Sequence, residues 1–418
     1  MGYSAARGGL EAILAAEKLI ADERWSAGSA PLTDDQCRQR LGAAVDRVMG
    51  EGGIWDDALA AAALRQAEGD TIEAAHLLRA HRSTLPRFAY AEVADADDIE
   101  ILRRVVPAYQ RPPGPQLLGR TADYTGRLLQ VDQPSTSSDP RSSEDPGMVR
   151  KLGLDVGAAA RPIADAAPGS DPTPGPDSLP GADTATEAGS LPAGDPVVDP
   201  RRPTRLLQIL RDLDLVVDRR RQDDPPPVDI TRTAVRPPAP RSARLATMAR
   251  AETGALVNLW YRNILGPDGY LHEITLGEVR HGRLPVVIRH AVTDEPIRIG
   301  EVRVTEVEAI EDLDGIDEDR ARFDVGYGMC FGHNEKKAIA MANLDIACHR
   351  DQGRSQLEQS ILLTTDGLDA TGFLEHLKLP HYVTFRSMVE RKMAVREARR
   401  DGAAAGDELI ESNGSDCA

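Results

Sequence analysis

A proline-rich stretch over 131–227 sets the strongest limit on how this chain of 418 residues folds. It holds 16 of the 29 prolines, set among Asp, Ser, Gly and Ala with hardly any aromatic side chains. Such a composition buries too little apolar surface to offset the conformational entropy lost on ordering. We therefore predict a disordered insert over 131–227. One apolar island within it, 204–217, has helical spacing and predicts a helix that docks on the folded body or on a partner.

The segments on the two sides of the insert differ in the spacing of their apolar residues. Residues 1–130 contain successive runs with helical spacing, the last of them over 91–106, and predict a mainly helical domain. Residues 228–390 alternate apolar and polar positions over 270–310, with many β-branched side chains, and predict an α+β domain with an antiparallel sheet. Residues 386–400 predict a charged helix, and the polar tail over 391–418 is expected to fray beyond that helix. The predicted fold class is therefore α+β.

Local signals predict the two ends of one helical run before the insert. Thr33 has the position of an N-cap, and Gln36 three residues later completes a capping box. Gly52 and Gly53 follow the last apolar residue of the same run, and glycine readily adopts the left-handed conformation found at helix C-termini. We therefore expect helix that begins after Thr33 and ends at this glycine pair.

The composition excludes some classes of function. The formal charge is −17 at pH 7 and aromatic residues make up 4% of the chain, which argues against broad nucleic-acid binding and leaves local basic clusters to bind phosphate. No apolar run of about 18 residues and no leader-like segment is found. The four cysteines have neither metal-like nor disulfide-rich spacing. We expect a soluble cytoplasmic protein with reduced thiols that contacts neither nucleic acid nor membrane.

Two histidines near the C-terminal end form a candidate metal site. On an unbroken helix, His376 and His381 would lie about 140° apart around the axis and could not share a ligand. Pro380 predicts the end of the helix over 372–379, because it has no N–H to donate and its ring clashes with the preceding turn. The alternation that begins at His381 and continues to Phe385 predicts a short strand that returns towards His376. Imidazole suits zinc.

A simpler interpretation of the histidine pair is chance. Nine histidines in 418 residues give roughly one pair within five positions at random. His76 and His81 have the same spacing inside a proline-free helical run, where they point apart and serve as an internal control. A third ligand is open: Glu375, water or another subunit would each complete the site.

A glycine-rich segment over 326–332 precedes Asn334, a predicted N-cap, and a helix predicted over 335–348. A strand-to-helix turn of this kind lets backbone N–H groups approach an anion, with help from the helix dipole. The candidates for binding phosphate here are Gly326, Tyr327, Gly328, Lys336 and Lys337. The segment is neither a Walker A loop nor a GxGxxG motif. The alternative is that the glycines only allow a helix to pack closely on a strand.

Seven segments, in one order along the chain outside the insert and the tail, resemble a known family: 44–53, 73–85, 116–119, 123–125, 229–232, 326–328 and 376–381. That family is PhnI, whose members are core subunits of the bacterial carbon–phosphorus lyase system for using phosphonates. The collinear order of the segments is far more specific than any single motif.

The resemblance implies an α+β subunit of the complex that replaces the adenine of ATP with a phosphonate, giving a ribose 1-phosphonate 5-triphosphate. It implies zinc at His376 and His381, ATP as a substrate together with Mg²⁺, other core subunits as partners, and a homodimer within the complex. Alone, such a subunit is expected to act as a nucleosidase that converts ATP to adenine and ribose 5-triphosphate, because water takes the place of the phosphonate. The alternatives are a non-catalytic zinc-containing scaffold of the same complex and a free-standing zinc hydrolase.

The implied reaction sets its own requirements. Breaking an N-glycosidic bond through an oxocarbenium-like state needs help for the leaving base, a positioned nucleophile and neutralisation of the triphosphate charge. Candidate triphosphate ligands are Arg232, Lys336 and Lys337. Candidate acids are Glu51, Asp123 and Glu335. For each of these charged residues, a solvated surface role is the simpler interpretation.

Overall fold

The structure, a computed structural model, describes residues 9–121, 123, 202–217, 226–265, 274–312, 321–350, 355–378 and 382–414. The insert predicted over 131–227 therefore lies outside the described residues, except for 202–217 and 226–227. The described residues up to Gly119 and from Arg202 onward belong to one compact unit. The account below concerns that unit.

In the described part of the chain, five helices precede the insert: α1 (Gly9–Ser26), α2 (Asp34–Arg40), α3 (Gly42–Gly52), α4 (Asp57–Gln66) and α5 (Thr71–Thr84). The predicted capping box is confirmed, since Thr33 Oγ1 accepts from Gln36 N at 3.2 Å and Gln36 Oε1 accepts from Thr33 N at 2.9 Å. The helical run predicted between Thr33 and the glycine pair Gly52 and Gly53 is interrupted once, at Leu41, which separates α2 from α3. Helices α2 to α5 share an apolar core that includes Val48, Met49, Leu64 and Leu78. No side chain of α1 is buried.

A strand, β1 (Glu100–Val105), follows a single 3₁₀ turn at Ala96–Asp98. The helix predicted over 91–106 is therefore wrong. The local pattern was misleading because Arg103 and Arg104, which look like a solvated helix face, are both buried in the strand. Arg104 is neutralised by a residue far away in sequence: its Nε donates to Glu278 Oε1 at 2.7 Å.

The sheet contains β1, β2 (Ile274–Arg289), β3 (Pro296–Asp312) and β4 (Phe323–Phe331) in that spatial order, with antiparallel neighbours throughout. The predicted antiparallel sheet and the α+β class are thus confirmed. Across the sheet, His281 of β2 lies opposite Thr305 of β3, which lies opposite Cys330 of β4. One of the four strands comes from segment 1–130, which the sequence predicted to be mainly helical.

One described helix lies within the insert, α6 (Leu206–Asp212), and six described helices follow it: α7 (Arg241–Arg250), α8 (Thr253–Leu265), α9 (Glu335–Arg350), α10 (Ser355–Thr364), α11 (Gly367–Leu377) and α12 (Tyr382–Gly414). Side chains of α7 to α10 pack with the sheet in the largest core of the unit, around Met248, Leu256, Val307, Met341 and Leu344. None of the described helices combines the length and the apolar character needed to cross a membrane.

The apolar island of the insert forms α6, which is shorter than the segment 204–217 predicted to be helical. Leu206, Leu207 and Leu210 are buried in a cluster with Val106, beside β1, and Val325 of β4. A buried carboxylate also holds the start of the helix, because Glu278 Oε2 accepts from Leu206 N at 2.8 Å. The island therefore docks on the compact unit of its own chain.

Helix α11 ends at Leu377, before Pro380, as the missing N–H of proline predicts. The strand predicted from His381 to Phe385 is wrong, because α12 begins at Tyr382 and continues to Gly414. An alternation over five residues is too short to distinguish the two-residue period of a strand from the 3.6-residue period of a helix. Phe385, Met388 and Val389 recur at helical spacing and are exposed. The charged helix predicted over 386–400 is confirmed as part of α12, which continues into the predicted polar tail as far as Gly414.

Candidate functional site

Glycines at the end of α3 bring three elements into close contact. A Cβ on Gly52 would lie 2.8 Å from Leu78 Cδ2 of α5, and one on Gly50 would lie 3.2 Å from the Phe331 carbonyl oxygen of β4. Gly53 follows in the left-handed conformation, with φ of +70° and its N–H bonded to the Met49 carbonyl. A Cβ on Gly53 would lie only 3.0 Å from Arg82 Nη1. The glycine pair therefore ends the helix and leaves room for an arginine.

One face of α5 carries Arg79 and Arg82 beside the buried Leu78. All three side-chain nitrogens of Arg79 donate a hydrogen bond within the protein. Its Nε donates to the Glu51 carbonyl at 2.9 Å, its Nη1 to Asp366 Oδ2 at 2.7 Å, and its Nη2 to the Arg250 carbonyl at 2.9 Å. Arg79 thus links α3, α5, α7 and the start of α11.

A cavity of about 550 Å³ opens beside this link. Five arginines line it, namely Arg79, Arg82, Arg87, Arg232 and Arg250, and we call it the arginine cavity. Its remaining lining residues are Gly53, Ser83, Leu85, Pro86, Phe88, Ala89 and Thr231. Among the described residues no Asp or Glu lines it, so its wall is strongly cationic.

Asp229 fixes one wall of the arginine cavity. Its Oδ2 accepts from Arg87 Nη2 at 3.0 Å and from the Tyr90 hydroxyl at 3.2 Å, while its Oδ1 accepts from Thr231 N at 3.0 Å. Arg87 also lies over the Tyr90 ring, 4.7 Å from the centroid. The hydrogen bond from the Thr231 hydroxyl is the main reason that the pKa of Asp229 lies below its ordinary value. An ionised Asp229 therefore ties the loop after α5 to the loop before α7.

The other three arginines of the cavity have no such anchor. The side chains of Arg82, Arg232 and Arg250 hydrogen-bond to no acceptor in the part of the chain that the structure describes, and the Nε of Arg250 is buried without a partner. Burial lowers the pKa of both Arg82 and Arg250, and neighbouring guanidinium groups lower it further. Arg87 contributes to the shift at Arg82, and Arg79 contributes at Arg250. An anion entering the cavity would relieve this repulsion.

A second cavity of about 460 Å³ adjoins the first and shares Gly53, Arg82, Thr231 and Arg250 with it. The rest of its lining is almost wholly apolar and comes from the sheet, α7 and α9: Leu245, Ala246, Ala249, Leu284, Val302, Val304, Met329, Phe331 and Met341 among others. We call it the apolar cavity. No described carboxylate lines it either.

Two of the predicted phosphate-binding residues line these cavities. Arg232 belongs to the arginine cavity, and Tyr327 belongs to the apolar cavity. Gly326 and Gly328 lie within β4 and not in a turn, and a Cβ on either would overlap a backbone carbonyl of α9, at Ala342 and Ala338 respectively. Close packing of helix on strand therefore accounts for glycine at both positions.

The two predicted lysines lie at the start of α9, away from both cavities. Lys336 is exposed. Lys337 is buried and its Nζ donates to the Ala251 carbonyl at 2.8 Å, while burial lowers its pKa. Asn334 is the N-cap that the sequence predicts, since its Oδ1 accepts from Lys337 N at 3.3 Å. The end of this helix is thus engaged within the protein.

The candidate acids lie elsewhere as well. Glu51 is fully buried and its Oε1 accepts from Thr253 N at 3.0 Å and from the Thr253 hydroxyl at 2.7 Å, which holds the start of α8. Burial opposes ionisation of Glu335, but hydrogen bonds from His333 and Arg103 prevail and lower its pKa to about 2. Glu335 is therefore an anion at neutral pH. Asp123 is exposed and lies outside the compact unit that forms the cavities.

The predicted metal pair, His376 and His381, lies largely outside the described residues. His376 lies in the last turn of α11, but its side chain and the whole of His381 lie outside the described residues. Within the described part of the chain, no group of three or more His, Cys, Asp and Glu side chains is arranged to hold a metal ion. The control pair, His76 and His81, is exposed on α5.

The predictions from sequence did not include four of the arginines that line the cavity: Arg79, Arg82, Arg87 and Arg250. The sequence held one signal: the three-residue spacing of Arg79 and Arg82 puts both on one face of a helix. Nothing local indicated that Arg250 and Arg232, from beyond the insert, would join them. Three of the segments that carry the family resemblance, 44–53, 73–85 and 229–232, contribute to the arginine cavity.

Known proteins resemble this chain over almost its full length. Residues 2–400 match the family model PhnI, described as a bacterial phosphonate metabolism protein. HtxH of Stutzerimonas stutzeri is 39% identical over 94% of this chain and 95% of its own length. Two proteins named alpha-D-ribose 1-methylphosphonate 5-triphosphate synthase subunit PhnI are also similar. The one from Rhizobium meliloti (strain 1021) is 35% identical over 96% of both chains, and the one from Escherichia coli (strain K12) is 33% identical over 96% of this chain and 100% of its own. The chain therefore belongs to the PhnI family of bacterial phosphonate metabolism proteins.

Proposed function

We propose that this chain is a catalytic subunit of a carbon–phosphorus lyase complex, in which ATP and a phosphonate form adenine and a ribose 1-phosphonate 5-triphosphate. Membership of the PhnI family supports this proposal, as do the synthase names of two relatives. We further propose that the subunit acts in the cytoplasm as a homodimer, with other core subunits, and that ATP enters together with Mg²⁺.

The observation that carries the proposal is the pair of adjoining cavities. A nucleoside triphosphate has a polyanionic end and a flat, largely apolar base, and the two cavities offer a cationic wall and an apolar wall side by side. Each has the size of a small-molecule site, for which about 300–1,000 Å³ is typical. The residues that both cavities share, Gly53, Arg82, Thr231 and Arg250, would then lie near the ribose.

This arrangement assigns tasks to residues of the chain. The arginines neutralise the triphosphate and hold it, so that binding energy from a part of the substrate that does not react positions the glycosidic bond. The apolar wall excludes water from the base. Neither cavity has a described carboxylate, so in this proposal proton transfer to the departing base comes from a group outside the described lining.

We also propose a zinc ion at His376 and His381. The support is the family resemblance and the helix end before Pro380. Neutral imidazole nitrogens suit zinc. When bound, zinc would supply a Lewis-acidic centre.

The test is to identify the nucleotide products by chromatography. The isolated protein is incubated with ATP, and adenine with ribose 5-triphosphate is the expected outcome, since water replaces the absent phosphonate. Partner subunits and a phosphonate should divert the product to the ribose 1-phosphonate 5-triphosphate. The phosphoanhydrides should stay intact because the sequence has no Walker-type loop. Release of ADP and phosphate would contradict the proposal.

A non-catalytic scaffold is the second candidate function. The exposed apolar side chains of α11 and α12, among them Phe373, Leu374 and Phe385, favour it, because such surfaces commonly contact partners. Absence of turnover both alone and with the partner subunits would support the scaffold.

A further inference from the structure

We infer that the arginine cavity is a polyphosphate-binding site in which Arg82, Arg232 and Arg250 contact the anion, while Arg79 and Arg87 are fixed parts of its wall. The inference deepens the proposed function, on which it rests for the identity of the natural ligand, a nucleoside triphosphate. It assigns the binding of the triphosphate to particular side chains.

The division between fixed and available arginines follows from their partners. Arg79 makes three hydrogen bonds within the protein, and Arg87 bonds to Asp229 and to the Thr231 hydroxyl, at 3.0 Å each. These bonds hold Arg79 through all three of its side-chain nitrogens and Arg87 through Nη2 alone, so both groups are fixed in place. Of the cavity's described arginines, only Arg82, Arg232 and Arg250 make no side-chain hydrogen bond to a described acceptor.

No described protein acceptor forms a hydrogen bond with any of these three guanidinium groups. Arg82 and Arg250 are both partly buried, and the Nε of Arg250 is buried without a partner. Asp229 attracts Arg82 and Asp366 attracts Arg250, but neither carboxylate hydrogen-bonds to these guanidinium groups, and burial together with neighbouring arginines lowers the pKa of both. Such an arrangement is typical of sites at which a ligand supplies the missing charge.

The shape of the cavity favours an extended anion over a single small one. Its three available arginines come from three separate segments: Arg82 from α5, Arg232 from the loop that contains Asp229, and Arg250 from the end of α7. A chain of linked phosphates has more acceptor oxygens and a longer reach than one phosphate, so it can contact donors from all three segments and fill more of the cavity of about 550 Å³. The described lining offers no carboxylate ligand to a divalent cation, so the guanidinium groups are the groups that balance the negative charge of the anion there.

The test measures binding of inorganic tripolyphosphate to the full-length protein by isothermal titration calorimetry in the presence of EDTA. Wild-type protein should bind, and phosphate at the same concentration should bind far more weakly. Arg82→Gln and Arg250→Gln should each weaken tripolyphosphate binding roughly tenfold or more, the range expected for loss of a hydrogen bond to a charged group. Arg298→Gln is the matched control. It removes the same charge from an exposed position on β3, outside both cavities, and should change affinity less than about twofold.

Thermal unfolding separates loss of a ligand contact from loss of the fold. Arg82 and Arg250 are crowded by like charge, so glutamine at either position should leave the melting temperature unchanged or raise it. If Arg250→Gln lowers the melting temperature by several degrees, the binding measured for Arg82→Gln becomes the test of the inference. The Arg82 guanidinium makes no hydrogen bond in the described fold, so its loss should not destabilise the protein. Tripolyphosphate binding that is equal in wild type, Arg82→Gln and Arg298→Gln would overturn the inference. So would equal weakening by Arg82→Gln and Arg298→Gln, since it would indicate a general charge effect.

The failure of this site and the failure of the proposed function are distinguishable. Weakened tripolyphosphate binding in the cavity variants, together with no conversion of ATP, would support the site and contradict the reaction. Conversion of ATP that is unaffected by Arg82→Gln would support the reaction and overturn the site.

Discussion

The Nη2 of Arg79 donates to the main-chain carbonyl of Arg250 at 2.9 Å, so one arginine is held against the backbone of another that is 171 residues away. This contact joins α5 to the end of α7 across the insert. Both guanidinium groups line the wall of the arginine cavity. Core packing of Met248 and Ala251 fixes the end of α7, and the hydrogen bond from Arg79 adds a polar link between two residues of equal charge.

The pair Arg87 and Asp229 should act as a unit in stabilising the cavity wall. Asp229→Asn and Arg87→Gln are each expected to reduce the free energy of unfolding by about 1 to 2 kcal/mol, since hydrogen bonds to a charged group are lost. The double variant should be little worse than either single one, which corresponds to a coupling of about 1 kcal/mol or more. Urea unfolding of the four proteins measures this cycle. Strictly additive losses would show that the two loops are held independently.

Gly53 should be required both for the end of α3 and for the position of Arg82. Gly53→Ala places a side chain at φ of +70° and 3.0 Å from Arg82 Nη1, so it should cost about 1 kcal/mol of stability and weaken tripolyphosphate binding. Gly42→Ala at the other end of the same helix is the control, because a Cβ there has nothing within 4 Å. We expect that control to be neutral or to stabilise by up to about 1 kcal/mol. Equal behaviour of the two variants would refute the steric argument.

Gly328 should prove to be a packing residue. In Gly328→Ala the new Cβ would overlap the Ala338 carbonyl oxygen and separate α9 from β4, which should cost about 2 kcal/mol or more. Gly300→Ala, on the exposed part of β3 with open space around it, should have little effect. Denaturant unfolding compares the two variants. A Gly328→Ala protein with wild-type stability and weakened tripolyphosphate binding would instead favour an anion-binding loop.

The stability of the protein should respond to His281 between pH 7.5 and pH 5. Burial, followed by the neighbouring His333 and Arg303, lowers the pKa of His281 to about 4 from an ordinary 6.5. Because the unfolded chain then binds the proton more tightly, stability is lost as the pH falls from about 6.5 towards 4. At pH 5 the loss is about 2 kcal/mol relative to pH 7.5.

Burial of Glu308 has the opposite effect over an overlapping range. Its pKa is raised to about 7 by burial, against the attraction of Arg205, so its contribution to stability is present at low pH and is lost as the pH rises through 7. Comparing wild type with His281→Asn removes this common contribution. The difference between their unfolding free energies should change with pH, and a difference that is constant from pH 7.5 to 5 would contradict the assignment.

Zinc binding should depend on the C-terminal histidine pair. The purified protein is expected to hold about one zinc per chain, or less where a partner completes the site. His376→Ala and His381→Ala should remove the metal, because each imidazole is a proposed ligand. His76→Ala, which changes an exposed residue of the matched pair on α5, should leave it in place. Elemental analysis that finds metal lost from the His76 variant would rule out the assignment.

Signals that act over a few residues predicted much of the fold correctly. The alternating β-branched residues of 270–310 form β2 and β3, Thr33 and Gln36 form a capping box, and Asn334 caps α9. In each of these cases the stabilising partner lies on the same element or on the next strand. Where the partner was distant, local periodicity failed. The spacing over 91–106 indicated a helix, whereas Arg103 and Arg104 are buried in a strand, where they donate to Glu335 and Glu278.

The sequence by itself determined the α+β class, the family and several helix ends, because each depends on patterns read along the chain. Only the tertiary structure decided which charged residues share a cavity. Of the residues predicted to bind phosphate, Arg232 joins the arginine cavity, whereas Lys337 is bonded to the Ala251 carbonyl inside the protein. The physical reason is that periodicity specifies which face of an element is buried but not which other element covers it. That choice depends here on close contacts such as Gly52 against Leu78 and on the hydrogen bond from Arg79 to Arg250.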